Sequence, residues 1–127
     1  MSEVRALIVD DSSVMRKIVE RALRQAGLES LVVFEAGNGN EGLDVLKARA
    51  VDLILSDINM PAMDGLEFLR QIRLQKLAPD VPVVMITTET SAEHVRQAIE
   101  AGAQGYIRKP FTAEQVKERV LSLLRVA

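Results

Sequence analysis

The sequence has no cysteine and no tryptophan, and only one histidine and one tyrosine among its 127 residues. Without cysteine there are no disulfides, no thiol nucleophile and no thiolate-bound zinc. The single histidine, His94, can form neither a His-rich metal site nor a Cys–His pair, and a structural place on a helix is expected for it. A dominant charge sign is also missing. Sixteen Lys and Arg stand against 18 Asp and Glu, a net charge of −2, so no basic field argues for nucleic acid or an anionic membrane surface. No apolar run approaches the ~18 residues of a membrane span. The opening MSEVRALIVD carries Glu3 and lacks the apolar core of a signal peptide. These absences lead to the expectation of a cytoplasmic protein. With 48% hydrophobic and 27% charged residues, residues 1–127 are expected to form a single domain that buries roughly two thirds of its unfolded surface.

What is present alternates. Ala6–Val9, Leu31–Phe34, Leu53–Leu55 and Val83–Ile86 are short, apolar at consecutive positions and rich in β-branched residues, with Gly105–Arg108 as a weaker fifth run. Continuous apolarity predicts strands covered on both faces, as in a parallel sheet. Between these runs the period becomes helical. Met15, Ile18, Val19, Ala22, Leu23 and Ala26 make one stripe, with Ser12 or Ser13 to cap its start and Gly27 to end it. A second helix is predicted over 40–50 with Leu43 and Leu46 inward, and a third around Gly65, Phe68, Leu69 and Ile72. Thr90-Ser-Ala-Glu93 and Thr112-Ala-Glu-Gln115 read as capping boxes. They open helices whose inner stripes are Val95, Ala98, Ile99 and Val116, Val120, Leu123, Leu124. The order βαβαβαβαβα requires right-handed crossovers. The predicted fold is therefore α/β: a flavodoxin-like (βα)5 doubly wound parallel sheet, strand order 2-1-3-4-5, with helices on both faces. No internal repeat or low-complexity tract interrupts it.

The polar residues that stand out fall at the carboxyl ends of the predicted strands: Asp10-Asp11, Asp57, Thr87-Thr88-Glu89 and Lys109. In that strand order they converge on the crevice where open α/β sheets bind ligands. One Asp-Asp before a helix is ordinarily a cap, and a lone strand-end Lys or Thr is ordinarily loop. Their joint placement on adjacent strands is harder to dismiss. Three carboxylates in one crevice call for positive charge. Lys109 supplies one unit, and an all-oxygen donor set suits Mg2+, or Mn2+, better than zinc. A pocket so neutralised can receive a phosphoryl group. Asp57 is the candidate nucleophile, and Lys109, Thr87 and the backbone N–H groups after Asp57 are the candidate donors to its oxygens. Met15, Met60, Met63 and Met85 read as packing residues.

On LIVDDSSVMRKIV, LILSDINMPAMDGLEFLRQIR, PVVMITTE and AGAQGYIRKPF, the chain resembles the receiver domain of two-component response regulators. Within that family it is most similar to the stand-alone, CheY-like chemotaxis regulators, a standard example of the 2-1-3-4-5 order. The resemblance spans essentially the whole chain. It implies that Asp57 accepts a phosphoryl group from a sensor histidine kinase. It also implies that Asp10, Asp57, Asp11 through water and the backbone carbonyl of Asn59 hold Mg2+, and that Lys109 contacts the phosphate. A cis Lys109-Pro110 bond and a Thr87–Tyr106 switch pair are implied as well. Thr88 stands where relatives carry Ala or Gly beside the phosphoryl group, and Ile58 replaces the tryptophan of the best-known chemotaxis member. Arg108, two residues from Tyr106 on the same strand face, makes the expected output surface more basic.

The expected function is thus a phosphorylation-activated regulator, not an enzyme, with self-catalysed gain and loss of phosphate. It is expected to be a monomer without an output domain, signalling by contact with a flagellar motor switch protein or another protein target, with a phosphatase as a further partner. A phosphorelay shuttle, or a role in a pathway other than chemotaxis, is the alternative. A Mg2+-dependent phosphohydrolase of the haloacid-dehalogenase type fits less well, because Asn59 stands two residues after Asp57 where that chemistry needs an acid. Dinucleotide binding fits poorly too: the first turn has no G-x-G-x-x-G, and its two aspartates would repel a pyrophosphate.

Overall fold

A computed structural model describes residues 3–88 and 91–124. The elements run β1 (Val4–Val9), α1 (Ser13–Gln25), β2 (Leu31–Ala36), α2 (Gly39–Ala48), β3 (Leu53–Ser56), α3 (Gly65–Leu74), β4 (Val83–Thr87), α4 (Ala92–Glu100), β5 (Gly105–Arg108) and α5 (Ala113–Leu124). All neighbouring strands pair in parallel, in the order β2-β1-β3-β4-β5. The alternation of apolar runs and helical stripes therefore leads to the expected doubly wound sheet. Strands reach further than their apolar runs. Val4 and Arg5 join β1 by pairing with Leu31 and Val32, and β2 extends through Glu35 to Ala36, because backbone pairing continues beyond the side chains that mark it.

Alternate residues of each strand feed two separate cores. Ala6, Ile8, Leu53, Leu55, Val84, Ile86 and Ile107 pack under α1 and α5, with Val19, Leu23, Val116 and Val120. Leu7, Val9, Ile54, Val83 and Met85 pack on the other face against Leu43, Phe68, Leu69, Ile72 and Ala98. Burial on both faces is why the central strands show no polar alternation. It also leaves the strand ends as the place where polar groups reach solvent.

Most helix starts are capped as their sequences suggest. The Ser12 hydroxyl accepts from Met15 N–H, and Gly27, at φ +113°, takes the left-handed turn after α1. Thr112 and Gln115 bond reciprocally at the start of α5, a complete capping box. α4 differs from expectation: Ser91 is the cap, accepting from His94 N–H, and Thr90 lies outside the described residues. Two stripe residues are not inward. Ile18 is 45% exposed and Ile99 62% exposed. Around α1, Ile18 lies about 90° from the centre of the stripe defined by Val19, Ala22, Leu23 and Ala26, and Ile99 is about 100° round from Ala98, the buried residue of α4.

One glycine ties the fold to the site. Gly65, the first residue of α3, donates its N–H to the Ile58 carbonyl at 2.7 Å. A Cβ on it would stand 2.1 Å from the Asp57 carbonyl oxygen and 2.8 Å from Ile58 Cα. These are backbone atoms that cannot swing aside. Gly65→Ala is expected to lower the unfolding free energy by about 3 kcal/mol, the upper range for overpacking a core, and to displace the backbone at Asp57. Urea titration followed by far-UV circular dichroism measures it; a midpoint equal to that of the wild type would contradict the close approach.

Candidate functional site

Asp10 and Asp57 are placed by backbone pairing that continues past the strand ends. The Asp10 N–H donates to the Ala36 carbonyl (3.0 Å) and the Asp57 N–H to the Val9 carbonyl (3.0 Å), so β2, β1 and β3 hold the two acids side by side. Both are almost fully buried, at 4% and 9% exposure. Their oxygens are met by main-chain donors. Asp10 Oδ1 accepts from Ser12 N–H at 2.9 Å, and Asp57 Oδ1 from Ile58 N–H at 2.7 Å and Asn59 N–H at 3.4 Å.

Lys109 closes the pocket from the far end of β5. Its N–H donates to the Thr87 carbonyl (2.9 Å), and its side chain turns back across β4. There Nζ donates to Asp10 Oδ2 at 2.9 Å and Asp57 Oδ2 at 3.2 Å. The ammonium group is 11% exposed in side-chain terms, and burial alone would lower its pKa. The hydrogen bond to Asp10 and the charge of Asp57 outweigh that burial, so its pKa is raised. The Lys109-Pro110 peptide is cis.

Asp11 completes the acidic cluster. Carboxylate oxygens of Asp10, Asp11 and Asp57 all lie within 4.8 Å of one another. Asp11 is exposed, whereas the other two are buried. One lysine against three carboxylates leaves two units of negative charge uncompensated. The residues therefore fit a hard divalent cation: oxygen-only donors, two of them already oriented by backbone N–H groups, and a charge deficit equal to that of the ion.

Thr87 is fully buried at the end of β4, and in the β4–β5 register it stands opposite Arg108. Tyr106 stands opposite Met85 and is half-buried against the core on that face. Thr87, Tyr106 and Arg108 therefore follow one another along a single side of the sheet. Arg108, Thr88 and Asn59 are exposed, and Glu89 lies outside the described residues. His94 stays apart, its Nδ1 2.7 Å from the Ser91 hydroxyl at the start of α4.

The helical pattern of α1 does not single out Arg16, yet it borders the site. Nη1 donates to the Asp10 carbonyl at 2.6 Å and Nε to Glu35 Oε1 at 2.8 Å. Glu35 also accepts from Lys17 at 3.0 Å. The Arg16 hydrogen bond first, then that of Lys17, holds the Glu35 carboxyl below its ordinary pKa. Glu35 is exposed, so its position demands no cation, and no side-chain pattern marks Arg16 in the sequence.

The model of the response regulator receiver domain matches residues 6–121. A chemotaxis protein CheY homolog of Campylobacter jejuni (strain 81-176) is 40% identical over 122 residues, 95% of this chain and 92% of that protein. Among solved structures, chemotaxis protein CheY4 of Vibrio cholerae superposes with a TM-score of 0.85 at 35% identity, covering 96% of this chain and 99% of that one. A CheY-like receiver domain protein of Methanospirillum hungatei superposes with a TM-score of 0.84 at 31% identity, covering 97% and 94%.

The charge arrangement has a testable consequence. A lysine whose pKa is raised on folding adds stability that is full below its unfolded value of 10.5 and is lost as pH rises through the folded one. Stability of the metal-free protein is thus expected to fall above that pH. Lys109→Met, which leaves the acids unpaired, should lower stability at neutral pH by about 3 kcal/mol. Mg2+ should restore more stability to the variant than it adds to the wild type, because the variant pocket is the more negative. Thermal unfolding with and without Mg2+ checks this; equal Mg2+ responses would contradict the charge accounting.

Proposed function

The chain belongs to the response regulator receiver domain family, and we propose that it is a phosphorylation-activated regulator that accepts a phosphoryl group on Asp57. The observation that carries the reading is the convergence of Lys109 Nζ on both Asp10 and Asp57, with Asp11 completing the acidic cluster. A carboxylate oxygen of Asp57 attacks the phosphorus of a phosphohistidine on a sensor kinase. The P–N bond breaks as the new P–O bond forms, and the imidazole leaves with the electron pair and takes up a proton. Asp10, Asp11, Asp57 and the backbone carbonyl of Asn59 are the residues that would hold Mg2+. When bound, the ion neutralises charge on the phosphoryl oxygens. Lys109 then exchanges its carboxylate contacts for a phosphoryl oxygen, and the backbone N–H groups of Ile58 and Asn59, already directed at Asp57, are at hand for others.

In this reading Thr87 turns its hydroxyl toward the phosphoryl group and Tyr106 follows inward. Their succession on one side of neighbouring strands supports it. Thr88, exposed next to Thr87, borders the approach of water and small donors. The output surface is the β5–α5 face, where Tyr106, Arg108 and Arg119 line a cavity of about 600 Å3. Likeness to chemotaxis regulators of Campylobacter and Vibrio supports a chemotaxis kinase as donor and a flagellar motor switch protein as target. The regulator itself acts in the cytoplasm; no helix among the described residues is long and apolar enough to cross a membrane.

Incubation with acetyl phosphate and Mg2+ is expected to add one phosphoryl mass to the wild type and none to Asp57→Asn, read by intact mass spectrometry. Full labelling of the variant would move the acceptor elsewhere. With no tryptophan in the chain, Tyr106 emission reports the switch directly. It should change on adding beryllofluoride with Mg2+, and the response should be absent in Asp57→Asn and strongly reduced in Thr87→Ala. An unchanged signal in the wild type would take Tyr106 out of the switch and leave the acceptor assignment standing.

A further inference from the structure

Asp10 and Asp57 are each fixed by several hydrogen bonds, but Asp11 is not. Among the described residues, no hydrogen bond or ion pair is made by the Asp11 carboxylate, which is exposed. Its place near the other two acids must therefore come from its backbone. The peptide joining Asp10 to Asp11 is one rigid plane, carrying the Asp10 carbonyl at one edge and the Asp11 nitrogen at the other. That carbonyl is held by Arg16 Nη1 at 2.6 Å.

Arg16 is itself well anchored. Its backbone N–H donates to the Ser12 carbonyl at 3.0 Å in the first turn of α1. Its Nε is fixed on Glu35 at the end of β2, and its side chain is only 18% exposed. A guanidinium presents donors in two directions from one rigid plane, so a single side chain ties the carbonyl after β1 to the carboxylate at the end of β2. The Asp10 N–H is bound to β2 as well, through Ala36. Both peptide planes around Asp10 are thereby locked, and the second determines where Asp11 begins.

We propose that Arg16 is a positioning residue for the acidic pocket: by holding the Asp10 carbonyl against Glu35 it sets the peptide plane that brings the Asp11 carboxylate to the other two. The proposal rests on the divalent-ion reading of that pocket, and the sign of one measurement separates it from plain electrostatics. Arg16 carries positive charge. If it acted by charge alone, its removal would tighten cation binding, and Arg16→Lys would change nothing.

The test is Mn2+ binding to the purified protein, followed by electron paramagnetic resonance, in the wild type, Arg16→Met and Arg16→Lys, with circular dichroism establishing that each is folded. Arg16→Met is expected to weaken Mn2+ about tenfold, the usual scale for losing a group that orients a ligand. Arg16→Lys should also weaken Mn2+ binding, but by less, because an ammonium can reach the carbonyl or Glu35 and cannot hold both. Binding that is unchanged or tighter in both variants overturns the proposal. Should Arg16→Met fail to fold, Arg16→Lys decides alone, and wild-type affinity there overturns it. A wild type that does not bind Mn2+ at all refutes the divalent-ion reading first, and this inference with it.

Discussion

The pairing of Lys109 with Asp10 and Asp57 is the interaction on which the rest of this architecture depends. Two carboxylates almost fully removed from water at neighbouring strand ends would otherwise repel each other in a medium that screens poorly. The lysine comes from the end of β5, so the buried charge is compensated only when the sheet is complete as far as its edge strand. Compensation is also partial, since Asp11 adds a third charge at the rim. A pocket that is stable yet still short of positive charge is suited to take up a cation, and then an anion. The fold thus supports a site by leaving it unsatisfied to a limited degree.

Main-chain groups make this arrangement rigid. The N–H groups of Ser12, Ile58 and Asn59 are aimed at carboxylate oxygens, and the Gly65 N–H, bonded to the Ile58 carbonyl at 2.7 Å, holds the start of α3 against the chain that follows β3. Donors supplied by the backbone need no side-chain ordering when a ligand arrives, which is the general advantage of a preorganised polar site. The two aspartates are exchangeable in charge but not in surroundings. Asp57 has two neighbouring N–H groups and the lysine, whereas Asp10 is also bound through its carbonyl to α1.

How much of this could be read from the chain follows from where information lies. Runs such as Leu53–Leu55 and Val83–Ile86 are unambiguous because both faces of their strands are buried, and the alternation of runs and stripes leaves few topologies. The convergence of Asp10, Asp57 and Lys109 follows from strand order rather than from local motif, so it is legible once the order is. Ile18 and Ile99 belong to the predicted inner stripes yet face solvent for a geometric reason: a repeat of three or four residues admits positions about a quarter turn off the buried centre. The cap of α4 was displaced by one residue because Thr90 and Ser91 are both good caps, and only the position of the first turn chooses between them. Arg16 was missed for another reason. Its partners are a carbonyl, which every residue possesses, and a glutamate 19 positions away. Sequence patterns record the types of side chains, and a bond to the main chain leaves no such record.

The closeness of Lys109 to the β5–α5 cavity is the last consequence of the same strand order. Lys109 follows Arg108 directly, and its backbone N–H is bonded to the carbonyl of Thr87. Lys109 is therefore one peptide away from a residue that lines the β5–α5 cavity. Tyr106, opposite Met85 in the β4–β5 register, itself lines that cavity. It is half-buried, so it can lose or gain contact area without opening the core. A ring in that intermediate position costs little to move either way, which is the property a two-state element requires if a local change of charge is to bias it. β5 leads directly into Lys109, the counter-charge of the two acids, and lines the β5–α5 cavity through Tyr106 and Arg108, so one strand serves both.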